Sequence, residues 1–348
     1  MHRFSIIIVS WNALHHLQEF LPSVAKTHYD NYEIILANNA SSDGSVEWVE
    51  RQFPEVEIAT FDKNYGYCGG NNRAVPYANG DILLFLNNDV AVEQDWLQGL
   101  NDTFDEDKKI AAVQPKMLSY ENPEYFEYAG AAGGYLDKYG YPFCKGRIFD
   151  TLETDLGQYD SPSDILWGSG AALAIRKEVF EEMGGFDEDF EFHMEEIDLC
   201  WRIWNEGLKV RYCPKSVVYH LGGGSMPMGS PRKVYYNYRN NLRMIWKNAS
   251  SGTLPYRFPI RYKLDIIAAF RSLFTGNIEE FKAIARAHKD FWKYFHRTQQ
   301  KRNKLLESRK ISTNPETMLS INLIWDYFLR GKRHFNELID ETHGNSHI

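Results

Sequence analysis

Five apolar residues in a row, Ile82, Leu83, Leu84, Phe85 and Leu86, are followed at once by Asn87, Asn88 and Asp89. No other stretch constrains the chain as tightly. An apolar run of this length without polar alternation is the pattern of a strand buried on both faces of a parallel sheet, so it predicts the centre of an α/β domain. Ligands of open α/β sheets bind beyond the carboxyl ends of the strands, which is where the polar triplet falls. A lone carboxylate flanked by amides suits a divalent cation that keeps its other positions for water and phosphate. The same triplet also serves as a plain turn into a helix from Gln94, with Asp89 or Asp95 as cap.

The stretch before it repeats this design. Residues 4–10 form an apolar run closed by Ser10, Trp11 and Asn12, and Leu14, Leu17, Leu21 and Val24 then recur at helical spacing. A second apolar run, 32–37, ends in the polar loop from Asn38 to Ser45, placed to cap a helix over 46–51. A third, 56–60, leads into a glycine-rich loop from Asn64 to Arg73 that opens a helix through Ala78. Four strands alternating with three helices predict a doubly wound, parallel sheet. Gly66, Gly69 and Gly70 do not fit the dinucleotide pattern Gly-x-Gly-x-x-Gly and follow the third strand rather than the first, which argues against a nicotinamide cofactor. They suit either close backbone approach to an anion at a helix N-terminus or a tight turn needing positive φ.

Beyond a helix over 94–104 and a strand over 110–114, periodicity fails between 116 and 163, the usual signature of loops that carry specificity. A strand over 164–176, interrupted at Gly168 and Gly170, and a helix over 177–183 restore order. The densest chemical segment runs from Phe186 to Arg202. Glu195 and Glu196 fall in the first turn of a helix ending before Gly207, where the dipole alone favours carboxylates, and where a carboxylate facing a cleft also serves as general base. Asp198 and Arg202 are spaced to pair. Two short strands, 208–213 and 217–220, follow, and His220 ends the second beside a glycine run, a position open to a metal or phosphate role.

From Val234 onward the chain is helical, amphipathic and basic, which suits an anionic membrane surface or a helical lid or oligomer contact on the main domain. The whole carries 39 Lys and Arg against 47 Asp and Glu, a net −8 that argues against a nucleic-acid binder. Its four cysteines, Cys68, Cys144, Cys200 and Cys213, lack paired spacing and point to a reducing compartment. With no signal-peptide core and no run long enough to span a bilayer, a cytoplasmic protein is expected.

Taken in order, several stretches resemble glycosyltransferase family 2, the inverting nucleotide-sugar transferases of GT-A fold, and within it the bacterial rhamnosyltransferase-like branch. They are the run Ser5 to Asn12, Asn38 to Ser45, Asn64 to Asn72, Leu86 to Asp89, Gly184 to Asp187 and Glu195 to Arg202. The resemblance implies a transferase domain over 1–230 and a helical extension over 231–348. It implies that Ser10, Trp11, Asn12, Asn38, Asn39, Ser41 and Asp43 hold the nucleotide, that Asn64, Gly66, Gly70 and Asn71 close over the donor, and that Asn87 and Asn88 stand beside them. Asp89 then corresponds to the retained ligand of Mn²⁺ or Mg²⁺, with His220 completing the site, and Trp167, Gly168 and Asp198 fall at the acceptor. Glu196 is the expected base and Glu195 its rival. Asn38 stands where the family usually has Asp, and Glu196 where it has Asp. The implied partners are a UDP- or dTDP-sugar, a glycan or lipid-linked acceptor and, through the C-terminal helices, the inner face of the cell membrane. A silent nucleotide-sugar-binding subunit and a sugar nucleotidyltransferase are the competing readings; the latter would need a glycine-rich basic loop after the first strand, and none is there.

Overall fold

The computed structural model describes residues 1–128, 130–222, 229–311 and 313–343. Strands β1 (Phe4–Ser10), β2 (Tyr32–Asn38), β3 (Glu57–Thr60) and β4 (Ile82–Asn87) alternate with helices α1 (Leu14–Ala25), α2 (Ser45–Gln52) and α3 (Gly66–Ala74). All four strands run parallel, in the spatial order β4-β1-β2-β3. The chain therefore winds outward from β1 through β2 to β3 and then crosses back to β4. This puts a topological switch point between the carboxyl ends of β1 and β4, the crevice where open α/β sheets bind ligands.

Side-chain alternation buries both faces. Ile6, Ile8, Leu84 and Leu86 pack with Leu17 and Leu21 of α1, while Ile7, Leu83 and Phe85 pack on the other side with Cys68 of α3. Beyond β4 the sheet continues through β5 (Val90–Val92), helix α4 (Trp96–Glu106) and β6 (Ile110–Ser119). The region after β6 is not loose. Strands β7 (Gly134–Asp137), β8 (Pro142–Cys144), β9 (Arg147–Ile148) and β10 (Thr151–Leu152) form a small second sheet in sequence order. Short strands with little alternation and several glycines hide such a sheet from periodicity.

The expected 164–176 strand is two, β11 (Ser163–Asp164) and β12 (Ala172–Arg176), separated by a turn around Gly168 and Gly170. Helices α5 (Lys177–Glu182) and α6 (Glu195–Asn205) follow. The two strands expected over 208–220 are one, β13 (Lys209–His220), whose register against β6 shifts between Cys213 and Val217. Antiparallel β12 joins β4 to β6, and β13 runs parallel to β6, leaving the main sheet mostly parallel. The glycine-rich loop is itself helical from Gly66, with a 3₁₀ turn at Val75–Tyr77.

The C-terminal part is helical: α7 (Pro231–Asn248), α8 (Leu254–Phe274), α9 (Ile278–Lys293) and α10 (Phe295–Ser308). Strand β14 (Met318–Leu319) adds to the edge of the small sheet at β7, before α11 (Leu323–Phe328) and α12 (Phe335–His343). Among the described residues no helix is long and apolar enough to cross a membrane.

Candidate active site

At the switch point Asn88 Nδ2 donates to Ser10 Oγ at 3.3 Å, joining the ends of β4 and β1. The ends of β1 and β2 are clasped in turn: Asn12 N–H donates to Ser41 Oγ, and Ser42 N–H donates back to Asn12 Oδ1 at 2.8 Å. Asp43 accepts the Leu14 N–H and so starts α1. Its carboxyl lies below the usual range because hydrogen bonds from the Ser45 hydroxyl and from the Leu14 and Ser45 N–H groups outweigh the cost of burial. Trp11, 55% exposed, stands on this rim as a flat aromatic face.

Two of the expected nucleotide residues have other partners. Asn38 Oδ1 accepts the Ser41 N–H at 2.9 Å, and Asn39 binds the Tyr65 N–H and the Gly66 carbonyl, clamping the start of α3. Gly70 faces the sheet rather than the crevice: a Cβ there would come within 2.9 Å of Val9 Cγ1 and 2.8 Å of Asn39 Nδ2. Asn71 is buried and donates to the Tyr67 carbonyl. Asn64 caps Gly66, whose φ of 69° suits glycine.

Beside the switch point lies a cleft of about 490 Å³. Asn87 and Asp89 form one wall, Glu195 and Glu196 another, and His220 its floor. Asn87 and Asp89 thus meet residues more than 100 positions away in sequence because β4 and β13 end at the same edge and α6 begins opposite them. His220 Nε2 is 3.2 Å from Asp89 Oδ1, and its Nδ1 is 3.2 Å from Glu127 Oε1. Burial would lower the imidazole, but the Glu127 and Asp89 carboxylates outweigh it and push it up to about 10. Burial opposes ionisation of Asp89 too; the His220 contact wins and holds that carboxyl below its ordinary value. Glu127 was not legible as a site residue, since it lies in the aperiodic stretch.

The two glutamates differ. Burial pushes the Glu196 carboxyl up to about 7. Glu195 is raised well above the carboxylate range by burial and then by the charge of Glu196. Their approach is set by strained backbone, with φ of 64° at Glu191, 65° at His193 and 73° at Met194, a conformation costing roughly 1–3 kcal/mol per residue. Asn240 of α7 holds it. Its amide nitrogen lies 2.8, 2.7 and 2.9 Å from the carbonyl oxygens of Phe190, Phe192 and His193, while Arg239 pairs with the Glu191 carboxylate at 3.0 Å.

The expected acceptor residues lie behind this wall. Asp198 is fully buried, bonded to Arg202 Nε, Lys247 Nζ and Asn248 Nδ2 at 3.0, 2.7 and 2.7 Å, so its carboxylate is committed to packing α6 against α7. Trp167 is buried against Gly134 with its Nε1 donating to the Tyr135 carbonyl, and Gly168 packs on Gln114 and Leu173. It is the next residues, Ser169 and Gly170, that reach the cleft, together with Tyr67, His193 and Lys233.

The Glycosyl transferase family 2 model matches residues 5–184. The O-antigen biosynthesis protein RfbC of Myxococcus xanthus is 31% identical over 193 residues, 54% of this chain and 15% of that protein. An N-acetylglucosaminyl-diphospho-decaprenol L-rhamnosyltransferase of Mycobacterium tuberculosis is 25% identical over 286 residues, 77% of this chain and 91% of that one. Among solved structures, GalNAc-T7 with UDP, GalNAc and Mn²⁺ superposes with a TM-score of 0.58 at 20% identity, covering 74% of this chain and 50% of its own. The mannosyltransferase PcManGT of Pyrobaculum calidifontis, with GDP-Man and Mn²⁺, gives 0.51 at 14% identity over 88% and 86%. These two likenesses establish the GT-A fold. The chain belongs to glycosyl transferase family 2.

Proposed function

We propose that the chain is an inverting glycosyltransferase that moves a sugar from a nucleoside diphosphate donor, a UDP- or dTDP-sugar, to a hydroxyl of a glycan or lipid-linked acceptor in cell-surface polysaccharide synthesis. The observation that carries this is one cleft lined by Asp89, held ionised at a strand end, and by Glu196, whose carboxyl is pushed up to about 7. Trp11 and the clasped loop of Asn12, Ser41 and Asp43 offer the nucleotide a flat face and a rigid rim.

Inversion is a single displacement. The acceptor oxygen forms its bond to the anomeric carbon as the bond to the diphosphate oxygen breaks, and the acceptor proton must leave. Glu196 takes it: a base is most effective with a pKa near the working pH. Burial and the neighbouring Glu196 charge favour the neutral form of Glu195, which as a carboxylic acid donates a hydrogen bond to substrate. In the relative from Mycobacterium tuberculosis the name itself specifies a lipid diphosphate acceptor, which supports a lipid-linked acceptor here.

The Asp89 oxygen suits Mn²⁺ or Mg²⁺, and His220 Nε2, 3.2 Å from it, would join as a nitrogen ligand of Mn²⁺ on giving up the proton it shares with Asp89 in the metal-free site. Among the described residues no cluster of three or more His, Cys, Asp or Glu is set to hold an ion, so two protein donors would be completed by diphosphate and water. Bound there, the cation offsets the charge that builds on the leaving diphosphate.

The test is nucleoside diphosphate release from a panel of UDP-, dTDP- and GDP-sugars, with Mn²⁺ and with chelator, by the wild type, Asp89→Ala and Glu196→Gln. Metal-dependent release from one donor, lost in both variants although Glu196→Gln still binds that donor, is the expected result. Binding without release, with cell-derived glycan acceptors also failing, would make the chain a silent binding subunit. No binding to any donor would sink the assignment of Asp89 and the Asn38 loop together.

A further inference from the structure

Helix α8 buries three of its five charged residues and exposes several of its large apolar ones. Arg257, Arg261 and Asp265 are buried; Arg261 Nε donates to Asp265 at 2.8 Å, and its guanidinium lies 3.7 Å from the centre of the Tyr141 ring. The outward stripe carries Ile267, Phe270 and Phe274 at helical spacing, 62%, 50% and 85% exposed. A surface helix in water has the opposite arrangement. Helix α11 extends the same face, because the Arg271 guanidinium sits 5.9 Å from the centre of the Phe328 ring, and Trp325 and Leu329 beside it are also exposed.

Charge selects what covers this face. The acids of α8 and α11 are Asp265 and Asp326, both buried and paired, with Arg261 and Arg330 respectively. The charges that α8 presents outward are Lys263 and Arg271. A second copy of the chain, docked through the same face, would bring these cations together with no acid of either helix to meet them. An anionic bilayer supplies the counter-charge, and aromatic side chains flanked by Lys and Arg favour its interfacial layer.

We propose that the face formed by α8 and α11 lies in the interfacial layer of an anionic lipid bilayer, with α8 in the membrane plane. The catalytic cleft is tied to this face through the small sheet. Leu152 of β10 lines the cleft, while its neighbour Thr151 hydrogen-bonds the Tyr327 hydroxyl of α11 at 2.9 Å, and Phe149 packs on both Tyr327 and Phe328. A diphosphate-linked acceptor anchored in that bilayer would thus present its sugar beside the cleft. That use of the surface rests on the proposed transfer; the surface itself does not.

The experiment is co-sedimentation of the full chain with vesicles of phosphatidylcholine alone and of phosphatidylcholine mixed with phosphatidylglycerol, alongside donor turnover in vesicle-free solution. Wild type should bind the anionic vesicles at least about tenfold more tightly than the neutral ones, with the preference lost in high salt. The pair Phe270→Ser with Phe274→Ser should weaken binding at least about tenfold. Lys263→Glu, an exposed substitution that leaves the Arg271–Phe328 contact in place, should also weaken anionic binding, which keeps the test valid if the serine variant fails to fold. Vesicle-free donor turnover should be unchanged in both. Wild type that stays in the supernatant, variants that bind as wild type does, or a concentration-dependent dimer abolished by the same substitutions without any vesicle binding would each overturn the proposal. Vesicle binding without donor turnover, with cell-derived glycan acceptors also failing, would uphold the surface and overturn the transferase.

Discussion

Lys247 Nζ lies 2.7 Å from the carboxylate of Asp198, and this contact ties the C-terminal helices to the helix that carries Glu195 and Glu196. Lys247 also pairs with Asp187 at 2.7 Å, and Lys301 of α10 pairs with Asp187 and Asp189. The helical extension is therefore bolted to the wall of the cleft by buried charge. Removing one member of a buried network leaves its partners unpaired, so Asp198→Ala should cost about 3–5 kcal/mol. Thermal melting measures this. If Asp198 instead served only the acceptor, the melting temperature would hold and only the acceptor KM would rise.

Asn240 is predicted to be a positioning residue. Its amide stabilises the strained carbonyls of 190–193, so Asn240→Ala should lower stability by about 1–3 kcal/mol and let the turn before α6 relax. The expected signature is a fall in kcat with little change in donor Kd. An equal loss in every kinetic constant, tracking the fraction folded, would show that Asn240 acts on stability alone.

The two glutamates should separate by pH. Glu196 acts as base when ionised, so the rate should rise with pH and level off above about 7. Its raised pKa also has a stability cost of opposite sense. The folded state holds a proton that the unfolded chain releases near pH 4.5, so stability from this group falls as pH rises from about 4.5 to about 7. Glu196→Gln should therefore lose on the order of 10²–10⁴ in kcat and gain roughly 3 kcal/mol above pH 7. A variant with full turnover would shift the role of base to Glu195.

Gly70 is predicted to matter through packing. A methyl group there meets Val9 and Asn39 inside 3.0 Å, and both belong to ends of the central strands, so Gly70→Ala should cost about 1–3 kcal/mol. Because Asn39 also clamps Tyr65 and Gly66, donor affinity should weaken together with stability. Weakened affinity at unchanged melting temperature would return Gly70 to direct contact with the nucleotide.

Local pattern was enough for the parts of this protein that depend on neighbours in the chain. The apolar runs of β1 to β4 and the helices between them follow from periods of two and 3.6, and the polar strand ends that flank the crevice follow from the same runs. Asp89, Glu195, Glu196 and His220 were legible because each sits at the end of a readable element. Their meeting in one cleft was decided by topology, by the return from β3 to β4 and by the parallel pairing of β13 with β6. Partners settled the rest. The amides of Asn38 and Asn39 are engaged by loop backbone, Asp198 is taken up by Lys247, and Glu127 and Asn240 gain their roles only from residues nearly 50 or more positions away. Helix α8 is the plainest case. Its sequence carries apolar residues around much of its circumference, so periodicity could say that it is a helix but not which side is covered; that was fixed by Asp265 and Tyr141, which draw Arg261 inward and leave Phe270 and Phe274 outside.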